Sequence, residues 1–394
     1  MVMGEMEGVV SHVVSSFAAL ICCAGAALAQ PAPGGRFAEM EKKALAEPFV
    51  GVTTDGKPAP GLFGIASTGV ATGGVQKAAA DFIATLSDTE RAETLYALDA
   101  DEWRRWMNVS VYPRRGKGFK DMSDRQKQAA IGLLRAGLSA RSLKLSQDIM
   151  KLNETLAELN NDWTRYGEGL YWVTVMGTPS ATEPWGWQLD GHHLVINYFV
   201  LGDQVVMTPT FVGSEPIIAK GGKYAGTVVM QAEQDKGFAL ISALDSSQRT
   251  KAIIRADKTA NDNQTEAWKD NAIVPVAGVP ARELNATQRD MLIDLMATYI
   301  GYMDDGHAAV KMAEAARHIE DTYFAWAGPT TPGGVFYYRI QSPVILIEFD
   351  HQTPANLKGP PVPYREHIHA VIRTPNGNDY GKDLLRQHLA AHPH

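Results

Sequence analysis

From Val75 onward the apolar residues recur at helical spacing. Two sequences, Ser87-Asp-Thr-Glu90 and Ser123-Asp-Arg-Gln126, have the form of a capping box. In that motif the hydroxyl accepts from the backbone N–H three residues on, and the Glu or Gln side chain reaches back to the cap residue's own N–H. After Ser123, the positions Leu133, Leu134, Leu138, Leu145, Ile149, Leu152, Leu156 and Leu159 fall at helical spacing. This predicts two helices that break over 137–139. From Leu170 the period shortens to two, and residues 170–176 and 185–189 read as strands. Asp190-Gly191 is a two-residue hairpin signal, with a return strand from His193. Further strands are expected at 204–207 and 224–230, helix over 232–257 and loop over 258–280. Asn285 caps a helix over 286–303, and a second helix spans 307–325. Strands follow at 336–340, 344–349 and 367–373, and Asp379 caps a final helix.

The pattern repeats itself. Helix pairs opened at Ser123 and at Asn285 end at Trp163 and Trp326, and each is followed by an aromatic strand, a tight turn and an apolar strand. Aligning 123–200 with 285–351 sets Asn197 against Glu348 and His193 against Val344. The expected fold class is α+β, with helix pairs packed on a mainly antiparallel sheet and an internal duplication of a helix–helix–hairpin unit. Residues 75–394 are read as one domain. Residues 30–74, rich in Gly and Pro, read as linker and loop.

The chain start changes the picture of where the protein works. Residues 9–28 are mostly small and apolar, and Ala27-Leu-Ala29 matches a signal-peptidase site, so 1–29 is read as a signal peptide. The segment before it departs from the usual form, with Glu5 and Glu7 in place of Lys or Arg. Both cysteines, Cys22 and Cys23, lie inside the segment, so the mature chain carries no thiol for a disulfide, a nucleophile or a zinc thiolate. The expected location is secreted or periplasmic, with no stable membrane insertion after cleavage. A net charge of −7 and the lack of a long basic run argue against nucleic acid as a partner.

Alternation along the last strands gathers the candidate chemistry. His367, His369, Val371 and Arg373 share one face, and Ile368, Ala370 and Ile372 form an apolar face opposite. On the preceding strand Glu348 and Asp350 share a face. Two same-face strand histidines chelate Zn, Cu or Fe through imidazole nitrogen. His192 or His193, after the hairpin turn, supplies a third candidate ligand, and Asp350 a further one. Glu348 is the candidate general base, and Arg373 the group that orients a carboxylate or polarises a carbonyl. Trp172, Trp185, Trp187, Tyr337 and Tyr338 gather around the two hairpins, as core packing or as the lining of an apolar pocket. Walker A, Gly-x-Gly-x-x-Gly, His-Glu-x-x-His and Gly-x-Ser-x-Gly sequences are absent.

Three stretches together carry a family resemblance. Residues 185–194, residues 336–340 with 346–350, and His367-Ile-His369 with the segment 378–388 resemble the DUF3500 proteins, which are largely secreted bacterial proteins of unknown function. The resemblance spans roughly Val75 to His392 and implies one continuous domain behind a signal peptide; it brings no established activity. The function expected from the residues is a secreted metal-dependent enzyme, a hydrolase of a small carbonyl- or carboxylate-containing substrate. The alternatives are a non-catalytic periplasmic protein that binds a metal or small ligand, and a structural envelope protein.

Overall fold

The computed structural model describes residues 33–392, so the segment 1–29 that is expected to be a signal peptide, with Cys22 and Cys23, lies outside the described residues. The helices are α1 (Pro33–Ala46), α2 (Gly73–Ile83), α3 (Asp88–Thr94), α4 (Asp124–Gly137), α5 (Ala140–Asn160), α6 (Gln231–Ala243), α7 (Ser246–Ala252), α8 (Ala286–Ile300), α9 (Asp305–Arg317) and α10 (Lys382–Ala391). Strands β1 (Leu95–Tyr96), β2 (Lys117–Gly118), β3 (Tyr171–Met176), β4 (Trp185–Gly191), β5 (Leu194–Leu201), β6 (Gln204–Val206) and β7 (Thr210–Ser214) make one half of a sheet. Strands β8 (Ile253–Arg255), β9 (Val279–Pro280), β10 (Tyr323–Ala327), β11 (Tyr337–Gln341), β12 (Leu346–His351) and β13 (Ile368–Arg373) make the other. The fold is α+β.

Helix starts follow the sequence signals closely. Reciprocal capping boxes form at Ser87/Glu90, Ser123/Gln126 and Asn285/Gln288, and a further one at Asp245/Gln248. Each satisfies N–H groups that a helix terminus would otherwise leave without a partner. The Gln126 amide also donates to the Thr85 carbonyl, and the Gln288 amide to the Ala243 carbonyl. The capping side chain thus ties each long helix to the helix packed beside it.

The sheet order is β1-β3-β4-β5-β7-β13-β12-β11-β10-β8, with β2, β6 and β9 attached to its members. Read from either edge, the order is the same: a short parallel strand, a three-strand meander, then a central strand. The two halves join through the antiparallel pair β7 and β13, where Thr210 faces Ile372 and Gly213 faces His369.

The two faces of this sheet have different fates. One packs under the helices, with Trp187, Leu189, Ile196, Tyr198, Ile347, Ile368 and Ala370 in one core. Each such fully buried aliphatic side chain stabilises the fold by about 1.5–3 kcal/mol. The opposite face mixes Val195, Phe199, Phe211 and Val371 with a row of buried polar groups, among them Gln188, Asn197, Glu348, Asp350, His369 and Arg373. Loops that leave β1 and β8 cover it. The Trp103 carbonyl accepts from Gln188, and the N–H groups of Gln264 and Thr265 donate to Glu348. The His-x-His face therefore looks into a covered, polar layer.

Several expectations are corrected. The segment 30–74 contains α1, because Glu39, Lys42, Lys43 and the surrounding alanines favour a helix that the flanking Pro and Gly obscure. Strand β7 was not expected, since Pro209 and Pro216 bracket it; both follow cis peptide bonds. The expected strand over 224–230 is reduced to one bridge between Ile218 and Val228. The helix expected over 307–325 ends at Arg317, and its last third is a 3-10 turn over Ile319–Asp321 followed by the start of β10. Asp379 does not cap α10, whose N-cap is Gly381; the Asp379 carboxylate accepts from the Thr374 N–H instead. Trp185, Trp187 and Tyr338 pack in the helix-side core.

Candidate metal centre

The first hairpin turns two residues later than its sequence suggests. Gly191 still pairs with Leu194 inside the ladder, so His192 and His193 are the turn residues. His193 takes a left-handed conformation, φ 61°, which a non-glycine residue adopts only when its surroundings hold it there. Its N–H donates to the Asn108 carbonyl at 3.1 Å and its carbonyl accepts from the Gly213 N–H at 2.8 Å. Gly191 is required for another reason: a Cβ there would stand 2.0 Å from the Tyr171 ring. These contacts place the His193 side chain beside β13.

Three imidazoles converge as a result. The ligand atoms of His193, His367 and His369 all lie within 4.8 Å of one another. The Nε2 atoms of His193 and His367 are 3.2 Å apart, and those of His367 and His369 are 3.0 Å apart. An ion about 2.05 Å from each nitrogen would see these pairs at angles of roughly 103° and 94°, between the tetrahedral and octahedral ideals. The geometry can hold a divalent metal ion with little movement.

Hydrogen bonding fixes which nitrogens are free to coordinate. A carbonyl only accepts, so His367 donates from Nδ1 to the Thr353 carbonyl at 2.7 Å. The Glu266 carboxylate is 2.7 Å from Nδ1 of His369 and takes its proton as acceptor. Both rings are thereby set to present Nε2 to the centre, in the manner of a histidine oriented by an outer partner. Two Nε2 lone pairs at 3.0 Å repel unless a cation lies between them. A proton serves one contact at a time; a metal ion accepts all of them. Burial, reinforced by the neighbouring imidazoles, holds His193 and His367 well below the ordinary histidine range, so both are neutral and suited to coordination.

The other sequence candidates are engaged elsewhere. His192 stacks on His193 with ring centroids 4.0 Å apart, and its Nδ1 is 2.8 Å from the Asn153 amide oxygen. It backs the group and is not part of it. Asp350 faces His369 across the strands, yet its carboxylate turns to Lys258 at 2.9 Å and accepts from the Asp262 N–H at 2.6 Å. Glu348 accepts from the N–H groups of Gln264 and Thr265, the Thr265 hydroxyl and the Tyr337 hydroxyl. Burial raises its pKa, against the pull of these donors. Arg373 donates to the carbonyls of Thr265 and Glu266 and pairs with Asp270 and Asp379. Its guanidinium is fully buried, and its bonds are to protein groups.

These three side chains share a task. Asp350, Glu348 and Arg373 grip the backbone of residues 262–266 from the sheet side. That segment carries Glu266, the partner of His369. They act on the centre by positioning a loop. Glu266 and the Thr353 carbonyl were not foreseen: one lies in a stretch read as plain loop, and the other is a main-chain atom that no side-chain pattern marks. Glu215 lies nearby with a carboxylate oxygen 3.8 Å from His367 Nδ1, and it anchors residues 355–356 and Tyr364.

A family model described as "Protein of unknown function (DUF3500)" matches residues 68–382. The chain belongs to the DUF3500 family. Comparison with curated proteins and with solved structures found no match. In this DUF3500 chain the matched region contains every residue of the three-histidine group and its hydrogen-bond partners. With three protein nitrogens converging, an ion held there would keep at least one coordination position for another ligand.

Proposed function

We propose that this chain is a secreted mononuclear metal enzyme, a hydrolase of small carbonyl- or carboxylate-containing molecules. The observation that carries the reading is the convergence of His193, His367 and His369 on one point, with two of the rings oriented from behind by Thr353 and Glu266. A divalent ion in such a site polarises a carbonyl and lowers the pKa of water. Around it, Glu266 holds the Nδ1 proton of His369 and keeps that ring's donor nitrogen on the centre. Phe211 meets the His369 ring edge-on with centroids 4.9 Å apart and packs against it. Glu348 and Arg373 keep the Glu266 loop in place and do not meet substrate in this reading. The apolar, signal-like sequence at the chain start, ending in Ala27-Leu-Ala29, supports export.

A second reading, a non-catalytic metal- or small-ligand-binding protein, draws support from burial: His193, His367 and His369 are only 5%, 3% and 7% exposed. One experiment separates the two. The mature chain, loaded in turn with Zn²⁺, Cu²⁺ and Fe²⁺, is assayed on an ester, an amide and a phosphoester panel. The enzyme reading expects turnover with at least one metal that is abolished in His367→Ala. Full metal occupancy without turnover on any member of the panel leaves the binding reading. N-terminal sequencing of protein recovered outside the cytoplasm, with a start at Gln30, tests export.

A further inference from the structure

The helix-side face of the sheet carries a second, unrelated feature. Helices α4 and α8 end against each other through an antiparallel bridge between Leu138 and Met303, with the Ser139 N–H donating to the Tyr302 carbonyl and the Asp304 N–H to the Gly137 carbonyl. Ser139 then N-caps α5 and Asp304 N-caps α9. The two helices therefore start from equivalent points. Counted from these caps, Ser146, Ile149 and Leu152 of α5 correspond to Lys311, Glu314 and Arg317 of α9.

The two sets meet different surroundings. Ser146, Ile149 and Leu152 are 2%, 1% and 0% exposed and pack tightly. Lys311, Glu314 and Arg317 instead line a cavity of about 560 Å³. Its floor is the sheet, through Thr210 of β7 and Ile372 of β13, with Met207 and Ile345 just outside β6 and β12. Protein interiors keep few voids larger than a water molecule, whereas ligand pockets run to about 300–1,000 Å³ with mostly apolar walls and a few placed polar groups. In the α5 half, equivalent positions close this space; in the α9 half, charged side chains stand at the side of a chamber whose walls mix apolar and polar side chains.

We propose that this cavity binds an amphipathic carboxylate, its apolar body on the sheet floor and its head at Lys311 and Arg317. The charged side chains that line it are Lys311, Glu314 and Arg317, two cations against one anion. Lys311 spans 2.6 Å to Glu314 and 2.9 Å to the Val344 carbonyl, which fixes its ammonium at the chamber wall. Arg317 is exposed and donates to the Ala313 carbonyl at 3.3 Å, so its guanidinium stands at the rim. A carboxylate head meets the net positive charge there; a cationic head meets repulsion. The site is separate from the three-histidine centre, since Ile372 belongs to the helix-side core and His369 lies on the opposite face.

The test is isothermal titration calorimetry of the mature chain with dodecanoate, and with dodecyltrimethylammonium as a probe of equal chain length. Dodecanoate is expected to bind with a Kd on the order of micromolar, and the cationic probe at least about tenfold more weakly. Arg317→Glu, at an exposed position, is expected to weaken dodecanoate by at least about tenfold. Val310→Trp, which fills the chamber, is expected to abolish binding while circular dichroism stays native. Equal binding of both probes, no binding of dodecanoate, or dodecanoate affinity unchanged in Arg317→Glu would overturn the proposal. If Val310→Trp fails to fold, the Arg317→Glu comparison still decides it.

Discussion

Replacing Glu266 probes the centre without touching a coordinating nitrogen. Its carboxylate is 2.7 Å from Nδ1 of His369, and the side chains of the pair are 29% and 8% exposed. Loss of an outer carboxylate partner lowers metal affinity by about 10–100-fold in sites of this kind. That corresponds to about 1.4–2.8 kcal/mol. Two features set the expected position within that range. The partial exposure of Glu266 lets water replace part of the lost bond, and the amide oxygen of Glu266→Gln still accepts from Nδ1. The Gln variant is therefore expected near about tenfold and Glu266→Ala nearer about a hundredfold. The loop itself stays in place, because Arg373 holds the carbonyls of residues 265 and 266 and Glu348 holds the N–H groups of residues 264 and 265. Affinity is read by titrating the Zn²⁺-loaded protein with a competing chelator, alongside His369→Ala. If both Glu266 variants bind Zn²⁺ as tightly as the unmodified chain while His369→Ala does not, the carboxylate–imidazole link does not orient the site.

Further outcomes follow from other buried groups. Arg373→Met leaves Asp270 and Asp379 in the interior without their shared guanidinium and is expected to cost about 3–5 kcal/mol in urea unfolding; a loss below about 1 kcal/mol would mean that the guanidinium does not hold the layer together. Gly191→Ala forces a Cβ to within 2.0 Å of the buried Tyr171 ring, and an overpacking loss of about 1–3 kcal/mol is expected; an unchanged urea midpoint would show that the ring moves freely. Burial holds the His351 imidazole down at about 3 from its ordinary 6.5. A depressed folded-state pKa contributes stability that is present above the unfolded value and lost as pH falls, so His351 is expected to cost about 3 kcal/mol between pH 7 and pH 4. His351→Asn lacks that linkage and should lose correspondingly less stability over the same interval; parallel pH profiles for the two proteins would refute it.

The sequence carried the local half of the fold and the outline of the site. Capping residues and helical spacing are encoded within a few positions, so the helix starts after Ser87, Ser123 and Asn285 could be placed. The same holds for the alternation that sets His367 and His369 on one face and Ile368 on the other. What it did not carry depends on long-range contacts. Strand β7 forms between two proline-bounded turns because β5 and β13 flank it on either side, and nothing within residues 210–214 announces that. The choice of His193 over His192 rests on main-chain bonds to Asn108 and Gly213, remote in sequence. Glu348, Asp350 and Arg373 carry the residue types of a catalytic set; only the closing of the 262–266 loop over them shows that their bonds go to backbone. The cavity beside α9 was not legible either, since nothing in the spacing of Lys311, Glu314 and Arg317 marks a chamber until they are compared with their counterparts on α5.

The central claim, that His193, His367 and His369 form one metal centre, is tested most directly by metal analysis of the purified mature chain by inductively coupled plasma mass spectrometry, before and after incubation with Zn²⁺, Cu²⁺ and Fe²⁺. The prediction is about one tightly held divalent ion per chain, lost in each of His193→Ala, His367→Ala and His369→Ala and retained in His192→Ala. A chain that is metal-free as purified and takes up none of the three ions, or one whose bound metal survives loss of His193, would contradict it.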